Sequence, residues 1–382
     1  MSTQGTITRK PNGRWYVATH YKDAAGRRRQ KSHGGFRTKA EARQRLNAVL
    51  ADMATGRYVS PSKDTFGQFL SNRWLPAVKA SLRPSTYDSY ARNIRVHVLP
   101  RLGSLRLQEL STVHLQTLYS ELLESGRATG EGGLSPRTVR YIHRTLKKAL
   151  SDAVAWGLIS VNPAATVVPP KVEAPERATW TPAELNTFLR YVEGDSLEPA
   201  WHLLATTGMR RGEVLGLRWS DVDLVRRTIT ISRAAVVVSH KVVDSQPKTR
   251  RSRRTLPIDA RTEELLRRHR TRQLEERLMS GVPASEDDLL FTWPDGRPIH
   301  PTWLSKKFRR LSVEAGLPDI RLHDLRHTFA TTALASGVQP RVVSDLLGHS
   351  TVAFTLDTFG HAIPGAHEAA LNQVFELISS AN

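Results

Sequence analysis

The chain lacks the residues and segments on which several classes of protein depend. None of its 382 residues is cysteine, which excludes disulfide bonds and thiolate metal sites. No apolar run reaches the roughly 18 residues that a membrane-spanning helix needs, and the N-terminal stretch MSTQGTITRKPNGRWYV has no apolar segment typical of a signal peptide. We therefore predict a cytoplasmic protein with no membrane partner.

Acidic side chains are scarce in the first half of the chain. Residues 1–64 carry 14 basic and 4 acidic side chains, residues 65–170 carry 13 and 6, and residues 171–382 carry 29 and 26. The first 170 residues therefore hold 17 of the 20 net positive charges. A high charge can serve solubility alone, but two successive basic segments favour nucleic acid as a partner.

The length and the 39% of hydrophobic residues predict two or three domains with their own cores. Residues 14–21 alternate like a half-buried strand, and residues 27–32 are predicted to return as a second, basic strand. The stretch TKAE at 38–41 is a capping box that predicts a helix ending near Thr55. We assign residues 1–60 to a small sheet backed by one helix, which suits insertion of strands into a DNA groove. The candidate DNA-binding residues of the basic strand are Arg27, Arg28 and Arg29.

Residues 65–165 show the apolar period of amphipathic helices and predict a bundle of four or five helices. Ser or Thr with a nearby Pro marks helix starts at 83–86 and 134–138. Basic side chains recur at helical spacing on the last long helix, so one exposed face of that helix is predicted to contact DNA. These candidate residues are Arg137, Arg140, Arg144 and Lys147.

A proline-rich stretch without helical period predicts a stiff linker, which we place at residues 166–178. Residues 179–382 form the largest predicted domain and are mostly helical. An alternating stretch rich in β-branched residues at 227–258 predicts a three-stranded antiparallel sheet within that domain. The whole chain is therefore predicted to be mainly α with small antiparallel β-sheets, an α+β class.

Four polar clusters in the last domain carry side chains suited to phosphate chemistry. Arginine can bind a phosphate through two parallel N–H bonds, and histidine and lysine can transfer protons. Any one cluster alone is compatible with a solvated surface. The clusters are TGMRRGE at 207–213, QPKTRRSRR at 246–254, LHDLRH at 322–327 and LLGHS at 346–350.

In this order and spacing, the clusters resemble those of the tyrosine recombinases, the phage-type integrases, and the resemblance extends from about residue 5 to residue 375. The domain organisation of this family implies an arm-site DNA-binding domain, a core-site DNA-binding domain and a catalytic domain. Family members cut one DNA strand by attack of a tyrosine oxygen on the scissile phosphate, which leaves a 3′-phosphotyrosyl bond and a free 5′-hydroxyl without metal or cofactor. The matching series is Arg210, Lys248, His323, Arg326 and His349.

The resemblance also implies a role for each matching residue. Two arginines stabilise charge on the phosphoryl oxygens, a lysine acts as general acid on the leaving 5′-oxygen, and two histidines assist. The implied roles are phosphate binding for Arg210 and Arg326, general acid for Lys248, proton transfer for His323, a phosphate hydrogen bond for His349, and a structural or orienting role for Glu213.

One cluster also has the spacing of a different chemistry. His323 and His327 are four residues apart, as are the two histidines of zinc peptidases. That site needs a glutamate beside the first histidine and a third ligand, whereas the neighbour here is Asp324. We therefore predict no metal site.

The tyrosine expected from the resemblance is absent. The family arrangement T-x-x-x-Y-x-H follows the LGH cluster, and here it begins at Thr355 and places Phe359 at the nucleophile position. None of the eight tyrosines lies beyond Tyr191, and a threonine hydroxyl is far less acidic than the phenol, whose pKa is about 10. We predict a cleavage-dead protein, either an engineered trap of a recombinase or a naturally non-catalytic DNA-binding regulator.

Partners follow from the same resemblance. Strand exchange implies a homo-tetramer on double-stranded DNA with core-type and arm-type attachment sites, a possible excision factor and a host DNA-bending protein, near the nucleoid of a bacterial cell. The apolar face predicted in residues 364–382 would pack on a neighbouring protomer or on its own domain. An enzyme similar to type IB topoisomerases is a third hypothesis, which the separate N-terminal domain and the tail disfavour.

Overall fold

The computed structural model divides the chain into two compact units, Met1–Glu173 and Ala174–Asn382. It describes residues 5–22, 28–54, 58–172, 178–245, 253–281, 283–349 and 351–359, together with residues 375, 378 and 379. Both units combine helices with small antiparallel sheets, which confirms the predicted fold class. Across these ranges, every helix is too short or too polar to cross a lipid bilayer.

The first unit begins with a three-stranded antiparallel sheet in the order β1-β2-β3, covered by one helix. Val17 is fully buried beneath Ala42 and Leu46 of that helix. Strand β1 was not predicted, because three of its five residues are exposed and the strand has little apolar alternation. Its elements are β1 Gly5–Arg9, β2 Trp15–Lys22, β3 Arg28–Phe36 and α1 Lys39–Ala54.

The rest of the first unit consists of four helical runs, at 66–81, 84–102, 112–125 and 136–155. The first two runs each contain a π-helical stretch that ends two residues before a proline. Proline has no backbone N–H to donate, so the regular pattern of helical hydrogen bonds is interrupted there. The elements are α2 Phe66–Gln68, the π-helix Phe69–Trp74, α3 Leu75–Val78, a 3₁₀ turn Lys79–Ser81, α4 Pro84–Asn93, the π-helix Ile94–Val98, α5 Leu99–Leu102, a 3₁₀ turn Leu107–Glu109, α6 Thr112–Ser125 and α7 Pro136–Ala155.

The second unit is helical around two small sheets. Its core contains aromatic side chains packed edge to face or at a tilt, among them Phe188, Trp201 and Phe308. Its helices are α8 Pro182–Tyr191, α9 Glu198–Thr207, α10 Arg211–Leu215, a 3₁₀ turn Trp219–Asp221, α11 Ala260–Met279, α12 Pro301–Glu314, α13 Asp324–Ala335, α14 Pro340–Leu347 and α15 Val352–Phe359.

The predicted three-stranded sheet at 227–258 is wrong in detail, because this stretch contributes to two sheets. One sheet has the order β4-β5-β8, and the other is the hairpin β6-β7. Ser239 and His240 both have positive φ, 47° and 66°, as a two-residue type I′ hairpin turn requires. The strands are β4 Val222–Asp223, β5 Thr228–Ile231, β6 Ala234–Val238, β7 Lys241–Ser245 and β8 Arg254–Pro257.

Several predicted features fall on residues that the structure does not describe. Lys248, the turn at 23–26, Arg27 and most of the tail at 364–382 are among them. Of the predicted apolar face of the tail, only Phe375 and Ile378 are described, and both are exposed.

Candidate active site

Arg210 lies at the start of α10, directly after a tight end of α9. Gly208 ends α9 with φ 62°, and a Cβ there would come within 2.6 Å of Phe329 and Leu347, so only glycine fits. The Arg210 side chain donates from Nη1 to Glu213 Oε1 at 2.7 Å, while its backbone N–H donates to Glu213 Oε2 at 3.0 Å. The guanidinium is 39% exposed and therefore remains accessible to a ligand.

Glu213 is held between two arginines. Arg254 donates from Nη2 to Glu213 Oε2 at 2.9 Å and from Nη1 to Glu213 Oε1 at 3.4 Å, and Oε1 also accepts from Arg210. Burial tends to raise the pKa of Glu213, but the charges of Arg254 and Arg210 outweigh burial and keep this pKa below its ordinary value. The carboxylate is therefore ionised and orients Arg210. Arg254 was not predicted as a site residue, because it lies in a run of basic residues that is compatible with a solvated surface.

Arg326 occupies the buried centre of the site, with only 4% of its surface exposed. It donates from Nη1 to the carbonyl of Gly208 and from Nη2 to the carbonyl of Leu347, both at 2.7 Å. Burial, and then the charge of Arg210, lowers the pKa of Arg326 to about 9, so the group remains cationic at pH 7. Arg326 thereby links the end of α9 to the end of α14.

Four aromatic rings form a continuous array beside Arg326. His323 and His327 lie 5.4 Å apart between ring centroids, and His327 lies 5.2 Å from Phe359. The ring of Phe359 is parallel to that of His349 within 4°, at 6.3 Å. The array thus joins three positions of the predicted series, His323, His349 and Phe359.

His349 follows Gly348, whose φ of 66° ends α14. Its Nδ1 is 2.8 Å from Thr355 Oγ1, and both side chains are buried. Burial, and then the charge of Arg326, lowers the pKa of His349 to about 3. The imidazole is therefore neutral at pH 7 and has one N–H to donate. Thr355 was considered in the sequence only as a nucleophile, and its contact with His349 was missed.

Phe359 is 3% exposed and belongs to a small apolar cluster at the end of α15. Ala330, Leu334, Val343 and Leu347 are the other fully buried members. The position of the predicted nucleophile is therefore fixed by packing within the same chain.

A basic cavity of about 680 Å³ opens beside Arg210 and His323. Arg211 crosses it to donate from Nη1 to Ser305 Oγ at 2.6 Å, and burial lowers the pKa of Arg211. Further lining side chains include Lys306 and Arg309 of α12. The arrangement can accommodate an anion larger than a single phosphate.

The structure brings together Arg210, Glu213, His323, Arg326, His349 and Phe359, whereas Lys248 lies outside the described residues. The described strand nearest to Lys248 on its C-terminal side is β8, which starts at Arg254 and is fixed to Glu213. Within the described ranges, no group of three or more His, Asp or Glu side chains is arranged to hold a metal ion. Asp324, the neighbour of His323, instead accepts two bonds from the Arg321 guanidinium, at 2.8 and 2.9 Å.

The predicted DNA-contact residues lie in the first unit. Arg28 and Arg29 begin β3, in register with Lys22 and Tyr21 of β2, whereas Arg27 lies outside the described residues. Four basic residues of α7 are the predicted DNA contacts, Arg137, Arg140, Arg144 and Lys147, and all four are exposed.

Three family models match successive parts of the chain. Residues 181–363 match the phage integrase family, residues 65–123 match the SAM-like N-terminal domain of phage integrases, and residues 7–53 match an arm DNA-binding domain. Together these ranges cover about three quarters of the chain.

Full-length relatives and solved structures agree with these matches. A tyrosine recombinase XerC-like protein of Caldanaerobacter subterraneus subsp. tengcongensis is 28% identical over 389 residues, with 96% of this chain and 97% of the relative covered. The fold is similar to that of the Tn1549 transposon integrase in complex with transposon right end DNA, with a TM-score of 0.65, 23% identity, and coverage of 81% and 99%. A lambda integrase tetramer bound to a Holliday junction aligns with a TM-score of 0.55, 20% identity, and coverage of 92% and 94%. The chain therefore belongs to the phage integrase family of tyrosine recombinases, whose members cleave and religate DNA.

Proposed function

We propose that this chain binds attachment-site DNA as an integrase and that it cannot cleave that DNA, because Phe359 occupies the position of the nucleophile. The observation that carries the proposal is the parallel packing of Phe359 against His349, beside Arg326. Two histidines that could carry protons, His327 and His349, pack against an aromatic ring that has no oxygen.

The chemistry proposed for the corresponding tyrosine enzyme uses each group once. The tyrosine hydroxyl loses its proton with the help of His323, and its oxygen attacks the scissile phosphorus while the bond from phosphorus to the 5′-oxygen breaks. Lys248 gives a proton to that leaving oxygen. Arg210 and Arg326 stabilise the charge on the two non-bridging oxygens. His349, held neutral, donates one N–H to the phosphate, and His323 assists proton transfer. Glu213 orients Arg210 through the bonds described above.

DNA would contact the chain in two further places. Residues 1–60 are proposed to bind arm-type sites through Arg27, Arg28 and Arg29, and residues 65–165 to bind core-type sites through the basic face of α7. Residues 166–178 would act as a linker to the catalytic residues 179–382. The net charge of the first 170 residues supports this division.

The assembly proposed on DNA is a homo-tetramer, since four strands must be exchanged, and the lambda integrase tetramer on a Holliday junction offers a precedent. An excision factor and a host DNA-bending protein would complete it. We place the protein in the bacterial cytoplasm at the nucleoid, as expected for an integrase with bacterial relatives.

The decisive experiment restores one oxygen. Phe359→Tyr should form a covalent 3′-phosphotyrosyl adduct on a nicked attachment-site substrate without added metal or ATP, visible as a band that survives denaturation. The unmodified protein should bind the same DNA with similar affinity and form no adduct, because a lost hydroxyl contributes about 0.5–1.5 kcal/mol against many phosphate contacts. An adduct formed by the Phe359 protein itself would contradict the proposal and reveal another nucleophile.

A naturally non-catalytic regulator is the second candidate. It predicts that Phe359→Tyr binds DNA but forms no adduct, because other parts of the site have also lost their function. The Tn1549 transposon integrase with one tyrosine replaced by phenylalanine is found in complex with transposon DNA, so DNA binding alone does not separate the two candidates. The adduct assay does.

A further inference from the structure

Arg254 connects three parts of the candidate active site through one buried guanidinium. It is the first residue of β8, and its side chain is only 7% exposed. Its Nη2 donates to Glu213 Oε2 at 2.9 Å, and its Nε donates to the carbonyl of Leu346 at 2.6 Å. One side chain thus joins β8, α10 and the end of α14.

We propose that Arg254 is a positioning residue that holds Arg210, His349 and the start of β8 in one arrangement without touching DNA itself. Each of the three guanidinium nitrogens of Arg254 has a partner within the protein, because Nη1 and Nη2 donate to Glu213 at 3.4 and 2.9 Å and Nε donates to the carbonyl of Leu346 at 2.6 Å. This inference deepens the proposed function and rests on it for the effect on cleavage.

The connection to Arg210 passes through Glu213. The Glu213 carboxylate accepts from both arginines, and it is itself only 6% exposed. A buried carboxylate with one partner removed is strongly destabilised. Loss of Arg254 would therefore disturb the bond between Glu213 and Arg210, although Arg210 lies at the surface and Arg254 does not.

The connection to His349 passes through the end of α14. The last carbonyls of a helix have no partner within the helix, and here Arg254 and Arg326 bind the carbonyls of Leu346 and Leu347. His349 follows two residues later, and its N–H donates to the carbonyl of Ser344 at 3.0 Å. The two arginines thus fix the turn from which His349 projects.

Arg254 is connected to Lys248 only through the chain, because the two residues are close in sequence. Lys248 lies six residues before Arg254, and Arg254 begins the strand that pairs with β5, in register with Ile231. Anchoring Arg254 to α10 and α14 therefore fixes the C-terminal end of the segment that carries the proposed general acid.

Only arginine can donate to both Glu213 and the Leu346 carbonyl, because the donors are different nitrogens of one rigid, planar guanidinium. Lysine retains the charge but has a single nitrogen. Arg254→Lys therefore distinguishes a role in positioning from a role of charge. If only the charge matters, lysine should preserve the turn at His349 and the cleavage rate. If Arg254 positions the site, lysine should preserve neither.

The first test uses the protein as it is and requires no cleavage. Amide hydrogen exchange is measured at Gly348 and His349, whose N–H groups donate to the carbonyls of Asp345 and Ser344. Arg254→Lys should speed exchange at these two amides by about tenfold, the equivalent of one lost hydrogen bond. Unchanged exchange would overturn the proposal.

Arg277→Lys provides the matched control. Arg277 is another buried arginine of the same unit, with a carboxylate partner in Asp288 at 2.7 Å and a carbonyl partner in Pro283 at 2.9 Å. Its replacement should leave exchange at Gly348 and His349 unchanged. If Arg254→Lys unfolds the protein, Arg254→Gln, which retains a donor for the Leu346 carbonyl, is measured by the same criterion.

The second test measures cleavage in the Phe359→Tyr background at saturating DNA. Arg254→Lys should lower the single-turnover rate by about ten- to a hundredfold with unchanged DNA affinity, and Arg277→Lys should change neither. Normal cleavage by Arg254→Lys would overturn the proposal. If Phe359→Tyr alone fails to cleave, the proposed function fails instead, and the exchange experiment still decides the role of Arg254.

Discussion

Arg210 and Arg326 differ in how much freedom the fold leaves them. Arg326 is buried, and its two terminal nitrogens are bound to carbonyls of Gly208 and Leu347. Arg210 is 39% exposed and bound to one carboxylate. Because Arg326 is fixed, it needs little reorganisation when charge develops on a phosphate. Arg210 can be replaced without leaving a backbone carbonyl unpaired. Arg210 is therefore the better residue to substitute.

We predict that Arg210→Ala lowers cleavage by Phe359→Tyr by about 10²- to 10³-fold, the usual loss for one donor to a transition state. Affinity for attachment-site DNA should change little, because the phosphate contacts are many. Single-turnover cleavage and a binding titration on the same substrate measure the two effects.

The control for this prediction is Arg309→Ala, which removes another arginine that lines the same cavity but has a partner in Asp319 instead of Glu213. Its cleavage rate should fall far less than that of Arg210→Ala. Equal losses in both variants would show that the cavity acts through net charge alone.

Helix α7 shows how one element serves both the core and a partner. Ser135 caps it by accepting from the N–H of Thr138 at 3.3 Å, and Pro136 occupies its first turn. Val139 and Leu146 are fully buried, while Arg140 and Arg144 between them are exposed. A surface of this kind can be altered without disturbing the bundle.

We predict that replacing both Arg140 and Arg144 with alanine weakens binding to core-type DNA. The slope of the logarithm of the binding constant against the logarithm of the salt concentration should fall in magnitude by about 2, since each phosphate contact contributes about 1. Fluorescence anisotropy at several salt concentrations measures the slope. A variant with Arg267 and Arg268 of α11 replaced is the charge-matched control, because both are exposed in the other unit. An equal loss of slope in the control would remove α7 from the proposed DNA contact.

Across the whole molecule, buried histidines couple stability to pH. Burial is the largest cause that lowers their pKa, and in the unfolded chain each returns to about 6.5. Because the folded-state pKa is the lower one, the unfolded chain binds more protons below pH 6.5, and stability falls as the pH falls. The residues are the buried His97, His143, His269 and His349 and the half-buried His202.

We therefore predict that the midpoint of thermal unfolding falls steadily between pH 7.5 and pH 5, with each such histidine contributing at most about 1.4 kcal/mol per pH unit. His143→Asn should make this pH dependence shallower, because it removes one of the titrating groups. The asparagine amide oxygen can still accept from the hydroxyl of Tyr119, which lies 3.1 Å from His143 Nδ1. His240→Asn, at an exposed hairpin turn, is the control for the replacement of a histidine by asparagine as such. A pH-independent midpoint would contradict the burial argument.

Much of this protein follows from its sequence because the signals are local. The α+β class, the apolar and basic faces of α7 and the series from Arg210 to His349 depend on periodicity and on short motifs, which a single stretch of chain can encode. The assignment of Phe359 to the nucleophile position also rests on the continuous spacing of the surrounding motif, and it stays a prediction.

The remaining features depended on tertiary contacts. The two partners of Arg254 lie 41 and 92 residues away in sequence, and no local pattern specifies such pairs. The same holds for the division of the strands near 227–258 between two sheets, because each short strand pairs with whichever edge the fold brings near it. The sequence by itself determined which residues carry charge and hydrogen-bonding capacity, and the tertiary structure decided which of them are buried together, because desolvation and pairing exist only once distant segments pack.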